Sequence, residues 1–184
     1  MKRFFAFFTL VAFCLVSYGN NPESEFFTAT PTGVGPVQIA LSSKDIPASF
    51  EGLYDSFTTE TVEDEMDGNY TVLHFNLSGV PVMKASIYYD NKIGSIEVLG
   101  SNIVSKDGIN PGTKVQQLLD KGAKSTMSND GQLTVELGEI GYYVSGLKES
   151  GVKKLDQAYM TGEDPKITAQ DYDSTATVVS FSIY

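Results

Sequence analysis

The sequence predicts an α+β protein: a single domain dominated by an antiparallel β-sheet, with one or two helices packed on it. Three observations carry this. Apolar and polar residues alternate with a period of two through much of the chain, the pattern of a half-buried strand. Pairs of residues suited to tight turns, Ser78-Gly79 and Asp90-Asn91, separate consecutive alternating runs, which joins those runs as hairpins. One later segment places Val115, Leu118 and Leu119 at i, i+3 and i+4, the stripe of a helix laid on a sheet.

The chain of 184 residues opens Met1-Lys2-Arg3, runs apolar from Phe4 to Val16, and continues Ser17-Tyr18-Gly19. A positive start, a short apolar run and a small-x-small triplet form the pattern of a secretory signal peptide. The run is shorter than the ~20 residues that a membrane-spanning helix needs. The expectation is a signal peptide over residues 1–19, a flexible tether over 20–30, and one β-rich domain over 31–184. Cys14 is the only cysteine. A lipid anchor there would require a small residue before it and the end of the apolar run at it. Phe13 precedes Cys14 and Leu15-Val16 continue the run, so cleavage after Gly19 is expected in preference to lipidation.

Composition excludes more than it assigns. Arg3 is the only arginine, His74 the only histidine, and tryptophan is absent. Loss of residues 1–19 removes Lys2, Arg3 and Cys14 and takes the formal charge from −10 to −12. A chain without arginine and with this charge lacks the forks and the positive field that nucleic acids require. Thiol catalysis and disulfides would be unavailable to it. No apolar stretch in the mature chain reaches membrane length.

The remaining elements follow in order. GPVQIAL (35–41) reads as a first strand, and SKDIPASFEGLY (43–54) as a short helical turn between Pro47 and Gly52. In YTVLHFNLSG (70–79), Leu73, Phe75 and Leu77 share one face and Val72, His74 and Asn76 the other. VPVMKASIYY (80–89) puts Met83, Ala85, Ile87 and Tyr89 together, and KIGSIEVL (92–99) completes a meander. INPGTKVQQLLDKG (109–122) is expected to be a helix capped by Asn110, with Pro111 in its first turn and Gly122 at its stop. Asn129-Asp130-Gly131 signals a hairpin leading into QLTVELG (132–138), where Leu133, Val135 and Leu137 align, and then IGYYVSGL (140–147). ESGVKKLDQAYM (149–160) admits a short helix. The last strand, TATVVSFSIY (175–184), is expected to turn Thr177, Val179, Phe181 and Ile183 inward and Ser180 and Ser182 outward, and to lie inside the sheet.

The GVGPV opening (33–37), the meander leading into DGINPGTKVQQLL (107–119), and the closing DSTATVVSFSIY (173–184) together resemble a family of small bacterial envelope proteins. Many members are lipoproteins, and the family is grouped as a domain of unknown function. The resemblance covers most of the mature chain and rests on structural motifs. It implies an envelope setting and a β-rich fold, and it transfers no catalytic residues. Phe13 before Cys14 departs from the lipoprotein start.

Candidate chemistry is sparse. His74 has the one side chain whose ordinary pKa lies near neutrality, but no nucleophile or orienting partner accompanies it in sequence, and a half-exposed strand position accounts for it. Glu60, Glu63, Asp64, Glu65 and Asp67 crowd one segment, where calcium is chemically sensible. The segment lacks the spacing of a calcium loop and fits a solvated hairpin tip that discourages edge pairing. Tyr88-Tyr89, Tyr142-Tyr143, Tyr159, Tyr172 and Tyr184 could form aromatic platforms for sugars or peptides, although one of each adjacent strand pair must face the core. Asn69-Tyr70-Thr71 and Asn76-Leu77-Ser78 match the glycosylation sequon, and Asp173-Ser174-Thr175 resembles a short acceptor for O-glycans. No residue is assigned a catalytic, cofactor-binding or metal-binding role. The expected function is that of an exported, non-enzymatic binding module of the periplasm or cell surface, meeting an envelope protein or a glycan. The alternative is a small hydrolase of envelope or dietary glycans that works through two carboxylates.

Overall fold

The structure is a computed structural model that describes residues 27–63, 68–88, 90–127 and 131–184. Its frame is an eight-stranded antiparallel sheet. β4 (Ser56–Val62), β5 (Tyr70–Leu77), β6 (Val80–Ile87) and β7 (Ile93–Val98) run as a meander. β9 (Lys124–Met127), β10 (Leu133–Leu137) and β11 (Ile140–Val144) form the other half. β12 (Val178–Ile183) lies between β7 and β11 and closes the two halves into the order β4-β5-β6-β7-β12-β11-β10-β9. The fold is therefore the sheet-dominated α+β domain that the periodicity predicts.

The turn at Ser78-Gly79 explains itself locally. Both residues have positive φ, 53° and 77°, the backbone of a two-residue turn whose twist matches the strands it joins. Asn91 likewise sits at φ 59° in the turn before β7. Leu73, Phe75, Met83, Ala85 and Ile87 are buried together as expected. Tyr89, Asn129 and Asp130 lie outside the described residues. The strands flanking Asn129-Asp130-Gly131 do pair antiparallel, with Leu133 opposite Met127.

A second, four-stranded sheet, in the order β3-β2-β1-β8, covers part of the inner face of the large one. It comprises β1 (Phe27–Thr30), β2 (Gly33–Val34), β3 (Val37–Gln38) and β8 (Ile103–Ser105). β1 pairs with β8 in parallel, and Ala29 is fully buried. The segment expected to be a tether up to residue 30 thus contains a core strand. The strand expected over 35–41 is confined to two residues, because the chain turns again through Ile39 and Ala40, the latter at φ 63°. The segment 43–54 supplies a single 3-10 turn at Ser43–Asp45. Leu53 and Tyr54 enter the core, the Tyr54 hydroxyl donating to Pro47 O at 2.9 Å.

The helix expected from Asn110 begins later. α1 runs Val115–Asp120 with Lys114 at its N-cap. The preceding residues are drawn into pairing with the chain entering β12. Gly112 N–H donates to Val178 O (2.8 Å), Val178 N–H to Thr113 O (2.8 Å), and Val115 N–H to Ala176 O (3.1 Å). Asn110 instead closes a local turn, its Oδ1 accepting from Thr113 Oγ1 at 2.6 Å. The stop falls where expected. Gly122 takes φ 88° and donates to Leu119 O, while Ala123 N–H reaches back to Leu118 O, the paired closure of a Schellman motif.

α2 (Glu149–Thr161) is a full helix of 13 residues. It is fastened by Asp171, a buried carboxylate that accepts from Lys154 Nζ (2.6 Å) and Ser150 Oγ (3.0 Å) on α2, and from Thr168 N (2.9 Å) and Oγ1 (3.1 Å) on the returning loop. These partners, Lys154 foremost, hold its carboxyl well below the usual carboxylate range. Val115, Ile167, Tyr172 and Ala176 form a small second core, with Leu133, Val144, Leu147 and Leu155 packed on it.

In β12 the expected alternation breaks. Val178, Phe181 and Ile183 are buried, but Val179 is exposed. The ladder with β11 passes from Tyr143–Ser180 to Val144–Val178, skipping Val179. That extra residue is a β-bulge, which shifts the parity of everything before it. Ser180 and Ser182 do lie on the opposite face from Phe181, yet both are buried, not solvated.

Candidate functional site

The inner face of the large sheet is covered by the small sheet and the helices; the outer face is open and polar. Its register gives a cross-strand row reading Thr58, His74, Lys84, Glu97, Ser182, Gly141, Glu136, Lys124 from β4 to β9. Neighbours in such a row face the same side and touch. His74 Nε2 lies 2.7 Å from Glu60 Oε2. Lys84 Nζ lies 3.5 Å from Glu97 Oε2, and Ser180 Oγ donates to Glu97 Oε1 at 2.8 Å.

The row has one gap, at Gly141, which carries no side chain. A Cβ built there would stand 2.9 Å from Thr134 Cγ2, so even a methyl group would crowd the space. Over this glycine opens a groove of about 370 Å³, a volume within the range of small-ligand sites. Tyr143 and Tyr184 wall one side. Thr126, Glu136, Glu139 and Met127 line the other. Period two places Tyr143 beside the groove because it follows Gly141 by two residues on β11. Pairing of β11 with β12 brings in Tyr184, whose hydroxyl lies 3.4 Å from that of Tyr143. Thr126 Oγ1 donates to Glu136 Oε1 at 3.0 Å and orients that carboxylate. The Tyr184 hydroxyl, then burial, pushes the Tyr143 phenol up to about 12, so it stays neutral and able to donate at any physiological pH.

Of the tyrosines singled out in sequence, the structure brings Tyr143 and Tyr184 together, and it also pairs His74 with Glu60. Tyr142 points the other way, as its place in the pair requires, and donates to Ser105 Oγ at 2.9 Å in the core. Tyr88 is exposed and stacks on Tyr70, ring centroids 5.4 Å apart. Tyr159 is exposed on α2 and packs near Gly131. Tyr172 is buried and borders a separate groove with Lys114 and Asp173. Its hydroxyl lies beside Ser125, and burial pushes its pKa up.

His74 sits in a half-exposed strand position paired with Glu60, apart from the groove. Asp64, Glu65 and Asp67 lie outside the described residues, and Glu60 is committed to His74. Among the described residues no group of three or more His, Cys, Asp or Glu side chains is placed to hold a metal ion. No described helix is long and apolar enough to cross a membrane. Asn69 is exposed ahead of β5, Asn76 is half-buried within β5, and Asp173, Ser174 and Thr175 are exposed in the turn before β12.

Glu136, Glu139, Gly141 and Thr126 were not singled out in sequence. A signal existed for two of them. Glu136 occupies the polar phase of an alternating strand, and a glycine inside a strand often marks a place where something must approach closely.

Sheet order, layers and groove define a class: a two-sheet α+β domain with one open polar sheet face. No protein-family model matches the chain, and none of the curated proteins does. Among solved structures the fold is similar to the crystal structure of the uncharacterized protein yfeY from Escherichia coli, with a TM-score of 0.58 and 16% identity over 85% of this chain and 98% of that one. At that identity the likeness is one of fold alone.

Proposed function

We propose that this is an exported, non-enzymatic binding module of the bacterial periplasm or cell surface, which meets an envelope protein or glycan through the open face of its large sheet. One observation carries the reading: Tyr143 and Tyr184, on adjacent strands, wall a groove floored by Gly141. Aromatic rings with polar tips beside an open cleft are a common way to hold a partner. The N-terminal pattern supports export, and the departure at Phe13 favours a mature chain free of lipid. The likeness of residues 33–37, 107–119 and 173–184 to the envelope family supports the same setting. The net charge opposes binding to nucleic acid or anionic lipid.

The test has two arms. Mass spectrometry of the native product is expected to place its N-terminus at Asn20; a product that keeps residues 1–19, or carries acyl chains on Cys14, refutes this account of export. Capture from envelope extract by the purified protein is expected to retain the same partner repeatedly and to lose it when Tyr143 and Tyr184 are both replaced by Ala. Retention unchanged by that replacement removes the groove from the reading. Glu136 and Glu139 line the same groove, so the hydrolase alternative enters the same experiment. Turnover of a glycan panel that disappears on Glu136→Gln or Glu139→Gln would replace the binding module with an enzyme.

A further inference from the structure

We infer that the groove over Gly141 takes the cationic side chain of a basic peptide segment, a lysine or arginine presented by a protein partner. This rests on the reading of the protein as a binding module and names the partner's chemistry.

Charge complementarity selects the ligand. The groove lining contains two carboxylates, Glu136 and Glu139, and no lysine, arginine or histidine. The nearest cations stand outside the lining. Lys124 is the exposed cross-strand neighbour of Glu136, and Lys106 Nζ lies 3.9 Å from a Cβ built on Gly138. An anionic ligand would meet both carboxylates inside the groove, with counter-charge only from Lys124 and Lys106 at its rim, on a protein whose net charge is −10. A cation would lie between those carboxylates and the rings of Tyr143 and Tyr184, and an aromatic face attracts a cation within about 6 Å of its centre.

The shape favours a peptide over an amino sugar. Gly141 leaves a floor without a side chain of its own, and the Thr134 methyl group beside it supplies apolar surface. That combination suits the methylene stem of a lysine or arginine, which packs on apolar atoms while its head stays polar. A sugar ring would set hydroxyls against the same surface.

The experiment is an NMR and calorimetric titration of the purified protein with capped tetralysine, with its fully Nε-acetylated form, and with a glucosamine oligomer. The expected result is binding of tetralysine with the largest amide shifts at Glu136, Gly141 and Tyr143, no binding of the acetylated peptide, and weaker binding at higher salt. Glu136→Gln with Glu139→Gln is expected to weaken it by about tenfold or more. Both residues are exposed, so an unchanged circular dichroism spectrum is expected and separates this loss from unfolding. Asp120→Asn with Glu149→Gln, exposed carboxylates elsewhere, is expected to change nothing. Equal binding of the acetylated peptide, a preference for the glucosamine oligomer, equal losses in both double variants, or no binding at all would each overturn the inference. If the inference fails while envelope capture still depends on Tyr143 and Tyr184, the binding module stands; if capture fails as well, both fall.

Discussion

The hydroxyls of Tyr143 and Tyr184, 41 residues apart in the chain, lie 3.4 Å from each other at the groove wall. The Tyr184 hydroxyl, then burial, pushes the Tyr143 phenol up to about 12. Absorbance titration of the tyrosines should show late transitions, with Tyr143 contributing near 12 beside the buried Tyr54, Tyr142 and Tyr172, whose phenols burial also raises. Tyr184→Phe removes the largest cause of the Tyr143 shift, so the Tyr143 transition should move toward ordinary phenols, near 10. The linkage follows from the sign. A folded pKa above the unfolded one gives stability that is complete below about pH 10 and lost as pH rises toward 12. The stability of Tyr184→Phe should therefore fall less between about pH 10 and pH 12 than the wild type's, as urea midpoints across that range would show.

Asp171 reverses that sign. Its carboxyl is held low by Lys154, Thr168 and Ser150, so its contribution is complete above the unfolded value of about 3.9 and disappears as pH falls through the folded one. Asp171→Asn keeps the shape and removes the charge; urea unfolding at neutral pH should register a loss of about 2–3 kcal/mol, the scale of hydrogen bonds to a charged group. The variant's stability should also fall less between neutral pH and pH 3 than the wild type's. Since Ser150 and Lys154 sit on α2, amide exchange should rise first along Glu149–Thr161.

Ser105 Oγ is a buried junction. It accepts from the Tyr142 hydroxyl at 2.9 Å and faces the N–H groups of Asp107 and Ile109, each at 3.3 Å. Ser105→Ala leaves the Tyr142 hydroxyl buried without a partner and should cost about 1–3 kcal/mol. Tyr142→Phe should cost less, because Ser105 keeps its backbone donors. The double variant should be more stable than the sum of the single losses predicts, as a thermal or urea double-mutant cycle would reveal.

His74 and Glu60 form an exposed cross-strand pair between β4 and β5. Exposed pairs contribute little, about 0–1 kcal/mol, and neither residue borders the groove. His74→Ala should change the urea midpoint only slightly and leave partner capture intact. A loss of capture in this variant would move the functional surface toward the β4 edge.

Much of the fold was legible because a two-residue period reports which side of a strand is apolar. Leu73, Phe75, Met83, Ala85 and Val135 went where alternation sends them. The helix stop at Gly122 was legible for the same local reason, since αL backbone selects glycine. What was not legible depended on partners distant in sequence. Asn110 has the composition of a cap, but strand-like pairing of residues 112–115 with the chain before β12 overrode it. Val179 fits an inward phase, but a bulge against β11 turned it out. Phe27–Thr30 follows a loop-like stretch, and only β2 and β8 on either side make it a strand.

By itself, then, the sequence determined the class of fold and the meander, because these depend on residue type and short-range period. The tertiary structure alone decided that β12 joins the two halves of the sheet, that a small sheet with a parallel pair caps the core, and that Gly141, Tyr143, Tyr184 and Glu136 share one groove. Those outcomes turn on which strands become neighbours, and strand neighbours are chosen by burial summed over the whole chain, a quantity that no local pattern contains.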